Sequence, residues 1–394
     1  MRKRCIFFFL ILTLVFSASG CAPESSEEGL DAKLVIESMP VRDGAFFPDS
    51  FTGGTETVRF DCELEVSENF DAENFFLPAI PGLRPVDEEA VYEAYVEGRD
   101  VGETHEFSPT DYDPKGSTVY VFKTDGETTG EVSISSGFAY FDSFNNAFHG
   151  GDIYPESAKG ASQENEVAFG SGEECVAQVK ETLAGFSFPV EEYEFSWFSL
   201  DASDLDALTQ EALLGASQEA GEFFADAWDL PEEGWTEADN RYMIYAWQYY
   251  SGIPVFLPWM SMDRASAKES YLSAPVSSTF TGLGMIDLAV EAPYAFESTG
   301  QKADFLPFPE IASALVRKYT YLLDLSGTET EEKETEEPVT YTVSRAMLAL
   351  RVYLDEEKTY AAEPVWYFEV QNSSTGYLDV LYFNALTGQE IYLA

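Results

Sequence analysis

The stretch ETVRFDCELEV, residues 56–66, decides the fold class because apolar and polar residues alternate along its whole length. Its apolar members are Val58, Phe60, Cys62, Leu64 and Val66. A period of two places every second side chain on the same face of a β-strand. The stretch therefore predicts a strand with one buried and one solvated face, and it predicts that Cys62 points into a core.

Helical patterns occur between further strand patterns. Asp87 is placed to cap a helix at its N-terminus. Ser171 and Glu174 have the spacing of a capping box, at the start of a helix whose apolar face includes Cys175. Pro309 favours the first turn of another helix. This mixture predicts an α+β fold in which helices pack on antiparallel sheets.

Further strands are expected where aromatic or branched residues lie between turn residues. These segments are residues 118–123, 131–135, 138–141, 190–200, 241–250, 285–291, 341–354, 364–371 and 377–385. Residues 158–166 are rich in Gly, Ser and Glu, which favours a linker. The two histidines, His105 and His149, lie in polar or glycine-rich surroundings and are expected in loops.

The first residues have the order of a secretory signal peptide. Arg2, Lys3 and Arg4 precede an apolar run, residues 5–16, and the small residues 17–20 follow. Cations stay on the cytoplasmic side while the apolar run enters the bilayer. This run is shorter than the roughly 20 residues that a spanning helix needs. The alternatives are an ordinary signal peptide and an uncleaved anchor.

Cys21 follows directly after Ala18, Ser19 and Gly20, and this sequence resembles the lipobox of bacterial lipoproteins. The resemblance implies that the Cys21 thiol receives a diacylglycerol and that cleavage makes Cys21 the mature N-terminus. Two or three acyl chains hold a protein firmly at a membrane. The lipid bilayer is thus an expected partner through Cys21, at the extracytoplasmic face of the cell membrane.

The charge balance is strongly acidic. The chain has 22 Lys plus Arg against 71 Asp plus Glu, and its formal net charge is −49. Loss of residues 1–20 would remove three cations and no acid. Such a charge repels nucleic acid and anionic lipid headgroups, which argues against both as binding partners. Divalent cations and basic peptide segments would be attracted, and the alternative is a surface that is simply well hydrated.

Cysteine and histidine use argues against a metal centre. Once Cys5 and Cys21 are set aside, only Cys62 and Cys175 remain, and no CxxC motif occurs. An exported compartment permits a disulfide between them. Both cysteines lie on apolar faces, so buried free thiols are the preferred interpretation and the disulfide is the alternative.

No pattern predicts a catalytic site or a cofactor. Residues 215–219, GASQE, begin like a nucleophile elbow but lack its second glycine. Residues 111–116 imitate the first half of a calcium loop, yet Phe122 occupies the position of the bidentate Glu. Asp201 and Asp204 lie where acids cap a helix. The sequence therefore predicts a protein that is not an enzyme.

An aromatic strand is the strongest candidate for a ligand site. Tyr245, Trp247 and Tyr249 share one face at a period of two, and Trp259 follows nearby. The opposite face also carries aromatic residues, so both faces of the strand must be shielded from water by another layer. Two protein layers are the preferred interpretation. The alternative is one protein layer and a bound sugar or peptide.

Residues 247–255, WQYYSGIPV, resemble the strand and turn of PepSY-type modules. The run PVWYFEV at residues 364–370, with LYFNALTGQEI at residues 381–391, resembles their closing hairpin. In this hairpin Asn384 and Gly388 can both take positive φ around a tight turn. The layout is similar to YycH/YycI-type extracytoplasmic regulators, which implies binding or regulation of another cell-envelope protein.

These observations divide the chain into expected units. The units are a signal peptide at 1–20, the lipidated cysteine and tether at 21–29, an N-terminal α+β domain at 30–157, and PepSY-like units at 167–280 and 281–394. The expected function is a membrane-tethered, non-enzymatic lipoprotein that binds or regulates an envelope protein. The alternative is a capture lipoprotein for a sugar or peptide.

Overall fold

The alternating stretch forms a strand over Val58–Glu65, and its buried and exposed residues alternate without exception. The computed structural model describes residues 33–109, 116–124, 127–143, 155–162, 166–215, 234–256, 261–262, 271–272, 274–327, 339–355 and 357–392. Residues Ala32–Ala394 cluster as one unit, and Met1–Asp31 form the other. The predicted leader, Cys21 and the tether therefore lie outside the described residues.

Five helices and twenty strands are described. The helices are α1 Glu88–Tyr95, α2 Pro155–Ala161, α3 Gly172–Gly185, α4 Ala202–Gly215 and α5 Phe308–Gly327. The strands are β1 Val35–Ser38, β2 Ser50–Gly54, β3 Val58–Glu65, β4 Phe76–Leu83, β5 Val101–Phe107, β6 Ser117–Thr124, β7 Glu127–Ile134, β8 Phe138–Asp142, β9 Tyr193–Leu200, β10 Arg241–Tyr250, β11 Ile253–Phe256, β12 Ser261–Met262, β13 Tyr271–Leu272, β14 Val276–Thr281, β15 Gly284–Glu291, β16 Tyr294–Lys302, β17 Tyr341–Leu354, β18 Tyr360–Asn372, β19 Leu378–Asn384 and β20 Glu390–Ile391. The α+β fold class predicted from the sequence is confirmed.

Sixteen of the described strands are hydrogen-bonded in one sheet. The first sheet region has the order β9-β10-β14-β15-β8-β7-β6-β5, and each of these pairs is antiparallel. The second sheet region contains β1, β2, β3, β17, β18, β19 and β20, in which β3 and β17 are parallel. The hairpin β10–β11 joins the regions, because β11 also pairs in parallel with β17.

Helix α5 and the second sheet region enclose an aromatic core. Phe308 of α5 packs against Trp366 of β18 with ring centroids 4.8 Å apart, and against Phe51 of β2 at 5.1 Å. Ile311 and Leu315, one turn apart on α5, are fully buried in the same cluster. Each such side chain contributes about 1.5–3 kcal/mol when it leaves water.

Helix α3 covers one face of the first sheet region. Ser171 accepts a hydrogen bond from the Glu174 N–H, and the Glu174 carboxylate accepts one from the Ser171 N–H, so the predicted capping box is confirmed. Cys175, Val179 and Leu183 are buried on the helix face that meets the sheet. Local spacing thus fixes where the helix begins and which face it buries.

Both described cysteines are buried free thiols. Cys62 and Cys175 belong to different hydrophobic clusters, one under each sheet region. Burial raises the pKa of Cys62 to about 12, and the charge of Asp61 adds to the shift. Burial likewise raises the pKa of Cys175 to about 11, with a smaller contribution from Glu174. The thiols therefore stay protonated at neutral pH.

Two local predictions were wrong. Residues 158–161 were expected in a linker but belong to α2, because Ala158 is fully buried against the cluster that contains Leu205. His105 was expected in a loop but lies in β5, where most side chains are exposed and the alternation is lost. Of the two turn residues that can take positive φ, Gly388 does so, with φ 69°. The Asn384 side chain instead accepts hydrogen bonds from the next turn.

Strand β4 was not predicted because it contains Pro78 and Pro81. Proline lacks an N–H donor, so a strand that carries it is tolerated at a sheet edge. The described pairing of β4 is with β16 in a separate two-stranded sheet. A strand in a two-stranded sheet pairs along one edge, so the missing N–H groups of Pro78 and Pro81 are tolerated in β4.

Pairing between strands crosses the expected boundaries. Strand β3, within residues 30–157, pairs with β17, within residues 281–394. Strand β8 pairs with β15, and the hairpin β14–β15 spans residue 280. Two parts of the chain share an order of elements: α3 precedes the antiparallel strands β9, β10 and β14, and α5 precedes β17, β18 and β19.

Candidate functional site

The aromatic strand β10 is covered on both faces over its first half. Tyr242 and Ala246 belong to the cluster under α3, and Tyr245 belongs to a second cluster that includes Leu205 of α4. Tyr245 is 1% exposed. Trp247 packs beside that second cluster, half-buried, with its ring centroid 6.5 Å from that of Tyr245. Tyr245 is therefore a core residue.

Tyr249, at the end of β10, lines a cleft of about 440 Å³. The cleft is lined by Glu65, Val66, Ser67, Glu68, Asn69, Glu194, Tyr249, Pro254 and Met347. These residues come from the end of β3 and the loop after it, from the ends of β9 and β10, and from β11 and β17. The Tyr249 cleft, as we name it, thus lies where the two sheet regions meet. Of the other predicted site residues, Trp259 and Cys21 lie outside the described residues.

The hairpin between β10 and β11 closes one side of the Tyr249 cleft. Ser251 has φ 48° and Gly252 has φ 85°, as a two-residue hairpin turn requires. A Cβ atom on Gly252 would lie 2.7 Å from the backbone carbon and oxygen of Asn69. The turn therefore packs directly on the loop after β3, and only glycine combines this φ with this close approach.

Tyr249 is held as a hydrogen-bond donor. Burial raises its pKa far above the ordinary value, and the nearby charge of Glu194 and a hydrogen bond to that carboxylate raise it further. The phenol therefore remains protonated at physiological pH and donates to Glu194. Of the described cations, none lies within ion-pair distance of the Glu194 carboxylate.

The other two acids of the cleft differ in how they are neutralised. Glu65 accepts hydrogen bonds from Nε and Nη2 of Arg345 at 2.7 and 2.9 Å, a bidentate pair across β3 and β17. Glu68 lies 3.5 Å from Arg42, and its side chain is 88% exposed. Among the described residues, Glu194 is thus the acid of the cleft that has no cation within ion-pair distance, and it lies beside the apolar surface of Pro254 and Met347.

The predicted capping role of the acids near residue 201 is confirmed. Asp201 accepts hydrogen bonds from the Ser203 and Asp204 N–H groups, and Asp204 accepts one from the Asp201 N–H. The Ser203 hydroxyl, followed by the Asp204 N–H, lowers the pKa of Asp201. Within the described ranges, no group of His, Cys, Asp or Glu side chains is arranged to hold a metal ion.

Sequence reasoning identified Tyr249 but not the residues around it. Glu194 lies opposite Trp247 in the register of β9 with β10, and Glu65 lies opposite Met347 in the register of β3 with β17. Neither acid stands out in a chain with 71 acidic residues. The alternation of β9 shows that Glu194 points away from the face that α3 covers. Only the pairing of β9 with β10 places Glu194 beside Tyr249.

Comparison with known proteins adds a similarity of fold. No family model and no curated protein matches the sequence. The crystal structure of an uncharacterized protein from Eubacterium rectale has a TM-score of 0.56 at 14% identity, with 88% of this chain and 94% of that chain covered. The C-terminal domain of YpeB from Bacillus megaterium has a TM-score of 0.27 at 9% identity, with 79% and 98% covered. The first similarity concerns the fold alone.

Over the ranges that the structure describes, no helix combines the length and the apolar character that a membrane span needs.

Proposed function

We propose that this protein is a lipid-anchored, extracytoplasmic lipoprotein that binds a basic segment of another cell-envelope protein in the Tyr249 cleft, without catalysing a reaction. The observation that carries the proposal is the composition of the cleft. Its wall combines the Glu194 carboxylate, which has no cation within ion-pair distance among the described residues, with Tyr249 and the apolar surface of Met347. A Lys or Arg side chain has a cationic head for the carboxylate and an aliphatic stem for the apolar wall.

The charge of the whole chain supports the same partner. A formal net charge of −49 attracts cationic segments over distances longer than direct contact. The PepSY-like interpretation of residues 171–394 belongs to this proposal, as does the regulatory role that the resemblance implies. Anchoring through Cys21 would keep the cleft close to membrane-bound partners and raise their effective concentration.

Photo-crosslinking in intact cells tests the binding proposal. A benzoylphenylalanine at position 249 is expected to form an adduct with one envelope protein. The same group at Tyr321, which is 54% exposed on α5, provides the control and is not expected to form that adduct. Glu194→Gln preserves the side-chain volume and removes the charge, so it should weaken the adduct. Identical adduct patterns from positions 249 and 321 would contradict the proposal.

Replacement of the lipidated thiol tests the anchor separately. Cys21→Ser is expected to abolish labelling by fatty acid and to release the protein from the membrane fraction. Cys5→Ser provides the matched control, because this cysteine lies in the expected signal peptide, and it should leave labelling and anchoring unchanged. A Cys21→Ser protein that is still processed and retained on the membrane would disprove the lipoprotein assignment.

Capture of a small sugar or peptide is the second candidate function. The size of the Tyr249 cleft, about 440 Å³, favours it, because pockets for small ligands have volumes of about 300–1,000 Å³. Trp247 lies beside this site and provides a signal. Quenching of its fluorescence by a neutral oligosaccharide, but not by trilysine, would favour sugar capture. Quenching by trilysine that Glu194→Gln removes would favour the basic segment.

A further inference from the structure

A second cavity, of about 300 Å³, lies at the far side of the first sheet region and has different chemistry. Arg99 enters it from the chain after α1, Phe122 and Lys123 from β6, and Phe141 and Ser143 from the end of β8. We name it the Arg99 cavity. It shares no lining residue with the Tyr249 cleft.

Arg99 is a positioned cation without an acidic partner. Its guanidinium carbon lies 5.2 Å from the ring centroid of Phe122 and 5.5 Å from that of Phe141. Tyr95 stacks on Phe141 at 4.6 Å, which fixes the ring that supports the guanidinium. Among the described acids, none lies within ion-pair distance of Arg99. Contact with the rings does not use the N–H donors of a guanidinium, so these donors stay available to a ligand.

Two further groups add donors to the cavity. Lys123 contributes an ammonium group, which is bonded on one side to Glu103 at 2.5 Å. The Ser143 hydroxyl oxygen is buried and has no hydrogen-bond partner among the described atoms. A buried hydroxyl without a partner is costly, so such a group is a candidate donor to a ligand.

The charges on the wall restrict the ligand. Asp142 and Asp100 also line the cavity, and Asp142 accepts a hydrogen bond from the Tyr140 hydroxyl at 2.7 Å. Two neighbouring acids oppose a dianion such as phosphate more strongly than a single negative charge. A planar monoanion matches the guanidinium edge in a bidentate pair.

We propose that the Arg99 cavity binds a carboxylate group, with Arg99 as its principal cation, Lys123 as a second cation and the Ser143 hydroxyl as a third donor. The carboxylate belongs either to a free small acid or to the C-terminus of a peptide. Both sources present the same group to the cavity.

Thermal-shift and calorimetric titrations of the full-length chain in detergent, at constant ionic strength, test the proposal. The probes are acetate, trialanine with a free carboxyl terminus, trialanine with an amidated terminus, and inorganic phosphate. Saturable binding is expected for free trialanine, with none for the amidated peptide and weaker binding for phosphate. Binding of acetate as tight as that of trialanine would identify a free acid as the source.

Substitutions connect the binding to the named residues. Arg99→Gln should weaken carboxylate binding by about 100-fold and Arg99→Lys by about 10-fold, because lysine cannot form the bidentate pair. Arg59→Gln, at an exposed position on β3, provides the control and should leave binding unchanged. Ser143→Ala should weaken binding by about fivefold and at the same time raise the unfolding temperature of the free protein, since it removes an unsatisfied buried hydroxyl.

Three results would overturn the proposal. The first is the absence of saturable binding by acetate or free trialanine up to about 20 mM, where even weak specific sites are occupied. The second is equal binding of free and amidated trialanine. The third is a Ser143→Ala protein that folds and binds trialanine as the unsubstituted protein does, which keeps the test decisive if the Arg99 variants fail to fold.

Discussion

The side-chain amide of Gln248 forms two hydrogen bonds with the backbone of Tyr294, in the way that the backbone of a neighbouring strand would. The Gln248 Nε2 donates to the Tyr294 carbonyl at 2.9 Å, and the Tyr294 backbone N–H donates to the Gln248 Oε1 at 3.0 Å. The same Nε2 also donates to Glu192 at 3.0 Å, and Gln248 is 2% exposed. One side chain thus connects β16, which pairs with β4, to the first sheet region.

Gln248→Leu should destabilise the fold because it leaves the N–H and C=O groups of Tyr294 buried without partners. Each unsatisfied group costs about 1–3 kcal/mol, so we expect the free energy of unfolding to fall by about 2–5 kcal/mol in chemical denaturation. Gln371→Leu, at an exposed position on β18, provides the control and should change it by less than about 0.5 kcal/mol. Equal effects of the two substitutions would contradict this role.

The two terminal glycines of α3 should respond to alanine with opposite signs. A Cβ atom on Gly172 would lie 2.2 Å from the ring of Trp197, whereas one on Gly185 would meet no atom within 4 Å. Gly172→Ala should therefore lower the free energy of unfolding by about 1–3 kcal/mol through overpacking. Gly185→Ala should raise it by up to about 1 kcal/mol, because alanine restricts the unfolded chain. Thermal denaturation of both variants measures the difference in sign.

The sequence predicts features that depend on neighbours within one helical turn or one strand. The capping box of Ser171 and Glu174 needs two residue types at one spacing, and the alternation around Cys62 needs only the period of a strand. Pairing between strands is different. Arg345 and Glu65 are 280 residues apart in the chain, and no local pattern indicates that β17 lies beside β3.

The same limit applies to the two cavities. Tyr249 is recognisable as an aromatic residue on a strand, whereas Glu194 and Glu65 reach it through pairing of separate segments. Arg99 follows a short helix and meets Phe122 and Phe141 because β6 and β8 flank β7. Residue types give the chemistry of each group, and the sheet order decides which groups meet.

The two buried thiols should be protected in the native protein. Burial raises the pKa of Cys62 and Cys175 to about 12 and about 11, so neither is a thiolate at neutral pH. In a variant with Cys5→Ser and Cys21→Ser, we expect neither thiol to react with a disulfide reagent until denaturant is added. Both should then react within minutes without prior reduction. A requirement for reduction would show a disulfide and contradict the buried free thiols.

Glu291 introduces a pH dependence at the end of β15. Burial raises the pKa of its carboxyl from 4.5 to about 7 in the folded protein. A folded-state pKa above the unfolded value means that the folded protein binds the proton more tightly. The carboxyl therefore costs no stability below about pH 4.5, and the cost of ionising it in the fold develops as the pH rises from about 4.5 to about 7, above which it is complete.

Glu291→Gln removes this ionisation and keeps the side-chain volume. The free energy of unfolding should therefore rise by about 1–3 kcal/mol at pH 8 and change little at pH 4, where the native carboxyl is neutral in both states. Urea denaturation at the two pH values measures the difference. Glu297→Gln, on the exposed part of β16, provides the control and should change stability by less than about 0.5 kcal/mol at either pH. A gain in stability of the same size at pH 4 and pH 8 would contradict this explanation. Because Glu291 is uncharged at pH 4, such a gain would have to come from hydrogen bonding or packing of the new amide.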